Sequence, residues 1–181
     1  GNRIADVYDD WAREDPDQAV STLSDLAKGG RALELGIGTG RLALPLSAQG
    51  LVVEGIDASK AMVAKLQAKP GGSAIPVTIG NFVEMDVEGS FSLVFVAFNT
   101  FFGLLSQNDQ VRCFRNVATR LESDGVFVLE VFVPDMTRFQ GNRRVSIDRV
   151  ELDRVRIDVE QHDPREQRVL VQMVMWPSGA Q

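Results

Sequence analysis

A short apolar run, Arg31 to Leu35, opens directly into Gly36-Ile37-Gly38-Thr39-Gly40, and a helix-forming segment follows. No other feature restricts the fold of this chain as strongly. Glycine reaches positive φ without a Cβ penalty and lets the backbone approach whatever lies above it. A strand that hands over to a helix through such a turn is half of a βαβ unit, which needs a parallel partner strand and a right-handed crossover. The chain supplies the partners in Leu51 to Ile56, Ile75 to Ile79, Phe91 to Phe98 and Val126 to Val133. The last two runs show almost no polar alternation, the pattern of strands buried on both faces.

Helical signals fall between these runs. Ile4, Val7, Tyr8 and Trp11 have helical spacing, and Asp15-Pro16 opens a second helix that Gly29-Gly30 stops. A helix is expected from Arg41 to Gln49, kinked or tightened by Pro45. Ser59 caps another that runs to Lys69, before the break at Pro70-Gly71-Gly72. Ser106 to Asp109 resembles a capping box ahead of Val111, Phe114, Ala118 and Leu121, and Asp124-Gly125 is the expected stop. The alternation predicts an α/β fold: a doubly wound, mainly parallel sheet of five core strands with helices on both faces. The tail differs. Val145 to Val159 alternates apolar and charged residues with phase slips at Asp148-Arg149 and Asp153-Arg154. With a turn at His162-Asp163-Pro164 and a return over Val169 to Trp176, it reads as an antiparallel hairpin, wet on one face.

Composition removes several function classes. A net charge of −6 over 181 residues argues against broad binding to nucleic acid or an anionic membrane. The most apolar stretch, Phe91 to Leu105, contains Ser92, Asn99 and Thr100 and is shorter than the ~20 residues of a membrane span. No signal peptide is visible at the start. A single cysteine, Cys113, forms no internal disulfide and builds no thiolate metal cluster, so a cytoplasmic setting and no metal site are expected.

The helix that follows the glycine turn points N–H groups and a partial positive charge at a bound anion. Asp57 ends the next strand, about twenty residues on, so in a parallel sheet it faces the turn and can take the two hydroxyls of a ribose. A dinucleotide site wants G-x-G-x-x-G, but the third glycine position here is Arg41, with Gly40 one place earlier. The turn is G-x-G-x-G and is led by Glu34.

Glu34-Leu35-Gly36-Ile37-Gly38-Thr39-Gly40 and Asp57 together resemble the first and second motifs of the class I, Rossmann-like, S-adenosylmethionine (SAM) dependent methyltransferases, small-molecule type. The resemblance runs through most of Arg31 to Val133. Asp57-Ala58-Ser59-x-x-Met62 resembles the segment at the ribose and adenine edge. Gly80-Asn81-Phe82 sits where the family usually has Gly-Asp-hydrophobic; Asn81 loses the charge but keeps a group that can bond at the adenine edge. Tyr8-Asp9 resembles a lid element. What the resemblance implies is SAM as cofactor, with the Gly36 to Gly40 backbone, led by Glu34 and including Ile37 and Gly38, holding its methionine part. It further implies Asp57 on the ribose, Ala58, Met62, Asn81 and Phe82 around the adenine, Phe98 and Asn99 beside the transferred methyl, and Tyr8 closing over it. The implied layout is an N-terminal helical lid over 1–28, a SAM-binding core over 29–134, and an accessory hairpin over 135–181.

The transfer asks for positioning more than for side-chain chemistry, so no catalytic residue is assigned. Phe98, Phe101 and Phe102 fit a core or a pocket wall, the latter with cation–π contact to a sulfonium. His162, the only histidine, reads as a surface residue. Glu130 interrupts an apolar strand; it sits at an active-site edge or bonds a neighbouring backbone. Asn99-Thr100-Phe101-Phe102 lacks the prolines typical of methyltransferases acting on nucleic-acid bases, which favours a small-molecule acceptor. The alternatives are a non-catalytic SAM-binding or scaffold protein and a nicotinamide-dependent oxidoreductase. Two further core strands usual in the family are missing after the fifth. The native protein is therefore expected to be longer, or the fifth strand to pair with another chain as a homodimer through the exposed sheet edge.

Overall fold

The computed structural model describes residues 8–9, 16–150 and 154–177, so the expected helix around Ile4, Val7 and Trp11 lies outside the described residues. Two compact units result, Gly1–Phe132 and Val133–Gln181.

The first unit is a doubly wound sheet. Its elements run α1 (Asp17–Ala27), β1 (Arg31–Leu35), α2 (Ala43–Ala48), β2 (Val52–Asp57), α3 (Lys60–Ala68), β3 (Val77–Ile79), β4 (Phe91–Val96), α4 (Gln107–Arg120) and β5 (Leu121–Leu129). The strands pair in the order β3-β2-β1-β4-β5, all parallel. From β1 the chain winds outward to β2 and β3, then crosses back to build β4 and β5 on the other side. The order therefore reverses between β1 and β4, and in open α/β sheets a crevice forms there, beyond the carboxyl ends of the strands.

Burial on both faces explains the uninterrupted apolar runs. Ala32, Leu93 and Phe95 face one way and pack with Val20 and Leu23 of α1, Leu46 of α2 and Leu66 of α3. Leu33, Leu35, Val94 and Val96 face the other way and pack with Cys113 and Val117 of α4. The loop after β3 also contributes to this second core, through Val83, Met85 and Val87.

Several element ends are set by local chemistry. Ser59 Oγ accepts from Met62 N–H at 3.3 Å and caps α3. Ser106 Oγ accepts from Asp109 N–H at 3.1 Å and donates to Asp109 Oδ2 at 2.7 Å, so the capping pair read from the sequence forms. α2 starts two residues later than expected. A proline ring clashes with the carbonyl four residues back in a helix, so Pro45 is confined to the first turn. α4 ends at Arg120, before Asp124-Gly125, because Leu121 is extended and already pairs with Phe91. A register shift between Phe91 and Leu93 absorbs the extra residues of β5 as a bulge.

The second unit is a three-stranded antiparallel sheet, not the two-stranded hairpin that the sequence suggested. Its strands are β6 (Arg143–Val150), β7 (Arg154–Asp163) and β8 (Arg168–Pro177), in that order. The two phase slips explain the difference. The first is a register shift between Ile147 and Arg149, and Arg154 of the second is the first residue of β7. His162 is half-buried, its ring 5.9 Å from that of Phe139.

Candidate active site

A cleft opens at the reversal point of the sheet, lined by Tyr8, Glu34, Gly36, Ile37, Thr39, Arg41, Ala97, Phe98 and Thr100. Its floor is the turn after β1. Gly36 and Ile37 N–H both donate to the Ile56 carbonyl, at 2.7 and 3.2 Å, which anchors the turn to β2. Gly36 has φ +77°, and a Cβ there would collide with the Thr100 side chain. The turn and the loop after β4 thus approach as closely as a side chain-free residue permits.

Asp57 stands beside this turn. Its Oδ2 accepts from Gly38 N–H at 2.8 Å and its Oδ1 from Ser59 N–H at 2.7 Å. The carboxylate therefore braces the glycine turn and the start of α3 together, half-buried, with lone pairs beyond those two bonds. Met62 is buried below Gly38, whose Cβ would lie 3.4 Å from Met62 Cε. Ala58 is exposed, and Asn81 turns its carbonyl oxygen to its own loop, accepting from Val83 N–H at 3.0 Å. Phe82 is half-buried against the core beneath the sheet.

Glu34 and Arg41 give the cleft its electrostatic character. Glu34 is buried, and its Oε2 finds no hydrogen-bond partner among the described residues. Burial pushes its pKa up to about 8; the Arg41 guanidinium and the Ala43 N–H oppose that rise, and the Asp57 charge adds to it. An acid and a guanidinium on one cleft wall match the two ends of an α-amino acid, its ammonium and its carboxylate. The residues present therefore fit the methionine end of SAM, and the Asp57 carboxylate fits a ribose.

Tyr8 lies on the cleft wall, and its neighbour Asp9 is tied across the glycine turn. Asp9 Oδ1 accepts from the Thr39 hydroxyl at 2.6 Å, and Oδ2 pairs with Lys69 Nζ at 2.9 Å. Lys69 also donates to the Thr39 carbonyl at 2.9 Å. Bonds to Thr39 and Lys69 and the charges of Lys69 and Lys65 outweigh the cost of burial and hold the Asp9 carboxyl below its ordinary range.

On the opposite wall the three phenylalanines separate. Phe101 is core, Phe102 is exposed, and Phe98 lines the cleft, 46% exposed, with φ +56°. Asn99 turns toward the tip of β5, its Oδ1 accepting from Phe132 N–H at 2.9 Å. Glu130, left with two readings by the sequence, accepts from Phe98 N–H at 2.6 Å, so it bonds a neighbouring backbone at the edge of the cleft. Sequence reasoning assigned no site role to the side chains of Thr39, Arg41, Lys69 and Thr100. A cation directly after the glycine turn was the available signal for Arg41; Lys69 and Thr100 reach the turn only through the fold.

Comparison with known proteins agrees with this geometry. The family model described as "Methyltransferase domain" matches residues 32–125. The structure of the CcbJ methyltransferase from Streptomyces caelestis superposes with a TM-score of 0.86 at 35% identity, covering 98% of this chain and 78% of that one. The cypemycin N-terminal methyltransferase of a Streptomyces species is 28% identical over 76% of this chain and 62% of its own length. The ubiquinone/menaquinone biosynthesis C-methyltransferase UbiE of Geotalea uraniireducens (strain Rf4) is 30% identical over 63% of this chain and 51% of its own. The chain thus spans about half to three-fifths of these two curated relatives. The matched span covers β1 through the start of β5, the elements that carry the glycine turn, Asp57 and the loop after β4, and the chain belongs to the class I SAM-dependent methyltransferases.

Proposed function

We propose that this protein transfers a methyl group from SAM to a small-molecule acceptor. The observation that carries the reading is the oxygen of buried Glu34 that has no partner among the described residues, sharing the cleft with Arg41 beside the Asp57-braced glycine turn. When bound, SAM supplies a sulfonium-activated methyl group, leaving the protein to bind, orient and exclude water. Glu34 and Arg41 would hold the amino-acid end, with the Gly36, Ile37, Gly38 and Gly40 backbone beneath it. Asp57 would take the ribose, and Ala58, Met62, Asn81 and Phe82 would border the adenine. Tyr8, Phe98 and Asn99 belong to the side where the acceptor enters. Holding two reactants in line supplies about 7–11 kcal/mol of a barrier, which explains a site without an evident acid–base pair.

An acceptor of small size fits the acidic chain and the proline-free Asn99-Thr100-Phe101-Phe102 segment. By their names, one of the two curated relatives is an N-terminal methyltransferase and the other a C-methyltransferase of ubiquinone/menaquinone biosynthesis, so relatives of similar identity serve different acceptors. Titration calorimetry with SAM and with NAD tests the reading: SAM is expected to bind and NAD not to. Absence of a SAM signal overturns it. Incorporation of labelled methyl in a screen of amines, hydroxyls and activated carbons then separates an enzyme from a binding protein.

A further inference from the structure

The conformation of Phe98 is the least expected feature of the cleft. A bulky residue at φ +56° is uncommon, and such outliers persist only where the surroundings over-determine them. Here the surroundings are identifiable. β4 and β5 end at Val96 and Leu129, but their pairing continues, because Glu130 N–H donates to the Val96 carbonyl at 2.9 Å. Beyond that bond the two tips exchange side chains. The Glu130 carboxylate accepts from Phe98 N–H, and the Asn99 carbonyl oxygen accepts from Phe132 N–H. Phe102 and Phe132 close the far end edge to face, with ring centroids 5.4 Å apart. The loop that forms one wall of the cleft is thus clasped from both directions to the end of β5.

Resting on the SAM-binding reading of the cleft, we propose that Glu130 is a positioning residue. Its carboxylate holds Phe98 in the left-handed conformation that presents this residue to the cleft. Charged acceptors make the stronger hydrogen bonds, and this bond falls on the one N–H whose direction fixes the backbone at Phe98. Glu130 does not line the cleft, so it acts through Phe98.

The test is a double-mutant cycle read by S-adenosylhomocysteine affinity in titration calorimetry, with amide hydrogen exchange at Phe98 measured on the ligand-free protein. Glu130→Ala is expected to weaken binding about tenfold, the loss of one charge-assisted bond. Glu130→Gln, which keeps an acceptor oxygen, is expected to stay within about threefold. In a Phe98→Gly background, where positive φ carries no strain, Glu130→Ala is expected to change affinity less than about twofold. Exchange at the Phe98 amide is expected to accelerate in Glu130→Ala and to stay slow in Glu130→Gln. Unchanged affinity in Glu130→Ala, or an equal loss in both backgrounds, overturns the proposal. Equal exchange at Phe98 in wild type and Glu130→Ala overturns it even if the wild-type protein fails to bind the ligand. That last failure strikes the SAM reading instead.

Discussion

Glu34 keeps one carboxylate oxygen without a described partner where burial raises its pKa from 4.5 to about 8. The unfolded chain ionises this acid near 4.5 and the folded chain near 8, so its contribution to stability is full below 4.5 and drains away between the two values. A ligand ammonium reverses the preference, because it favours the ionised acid. S-adenosylhomocysteine affinity is therefore expected to rise with pH up to about 8 and then flatten, by at most tenfold per pH unit. Calorimetry between pH 6 and 9 measures this, and Glu34→Gln is expected to abolish the slope. At Asp57 the expectation is a plain loss. Asp57→Ala weakens S-adenosylhomocysteine by about 1.5–3 kcal/mol for each charged hydrogen bond removed. Unchanged affinity in that variant takes Asp57 out of the ribose role.

Turns and helix starts show how far local chemistry extends. Gly40 has φ +80°, and a Cβ there would press on Leu66 of α3 and Leu44 of α2. The third glycine of the turn is thus a packing residue between two helices. Gly40→Ala is expected to cost about 1–3 kcal/mol in urea denaturation. The strand–turn–helix unit, the position of Asp57 and the caps at Ser59 and Ser106 were legible in the sequence, because each depends on residues within one turn or one strand. The bounds of α2 and β5 were not. Pro45 acts on a carbonyl four residues back, and the bulge in β5 depends on its pairing with β4. Arg41 and Thr100 share a cleft only because β1 and β4 are neighbours, which no local pattern states. The tail carried its third strand as phase slips, which read equally as irregularities within one strand.

At the scale of the whole molecule, two surfaces invite association. Among the described strands β5 is an edge of the parallel sheet. In the second unit, register places Val145, Ile147 and Val150 on one face with Val155, Ile157 and Val159, and β6 leaves its three valine and isoleucine side chains 66–70% exposed. The opposite face carries its own ion pairs, Arg144–Glu160 at 3.1 Å and Arg156–Asp148 at 3.3 Å. This chain is expected to self-associate in sedimentation velocity, and a Val145→Lys/Ile147→Lys double variant is expected to sediment more slowly at the same concentration. A concentration-independent monomer contradicts this. With Tyr8 closing over the cofactor, as the family resemblance implies, the tie from Asp9 to Thr39 and Lys69 would have a kinetic consequence. The Asp9–Lys69 pair is partly in water, with side chains 42% and 32% exposed, so dissolved salt competes with it while the inner contacts of Glu34 stay shielded. Ionic strength is therefore expected to quicken the departure of the spent nucleoside in stopped-flow displacement more than it alters resting affinity, and Lys69→Met to reproduce that quickening without added salt.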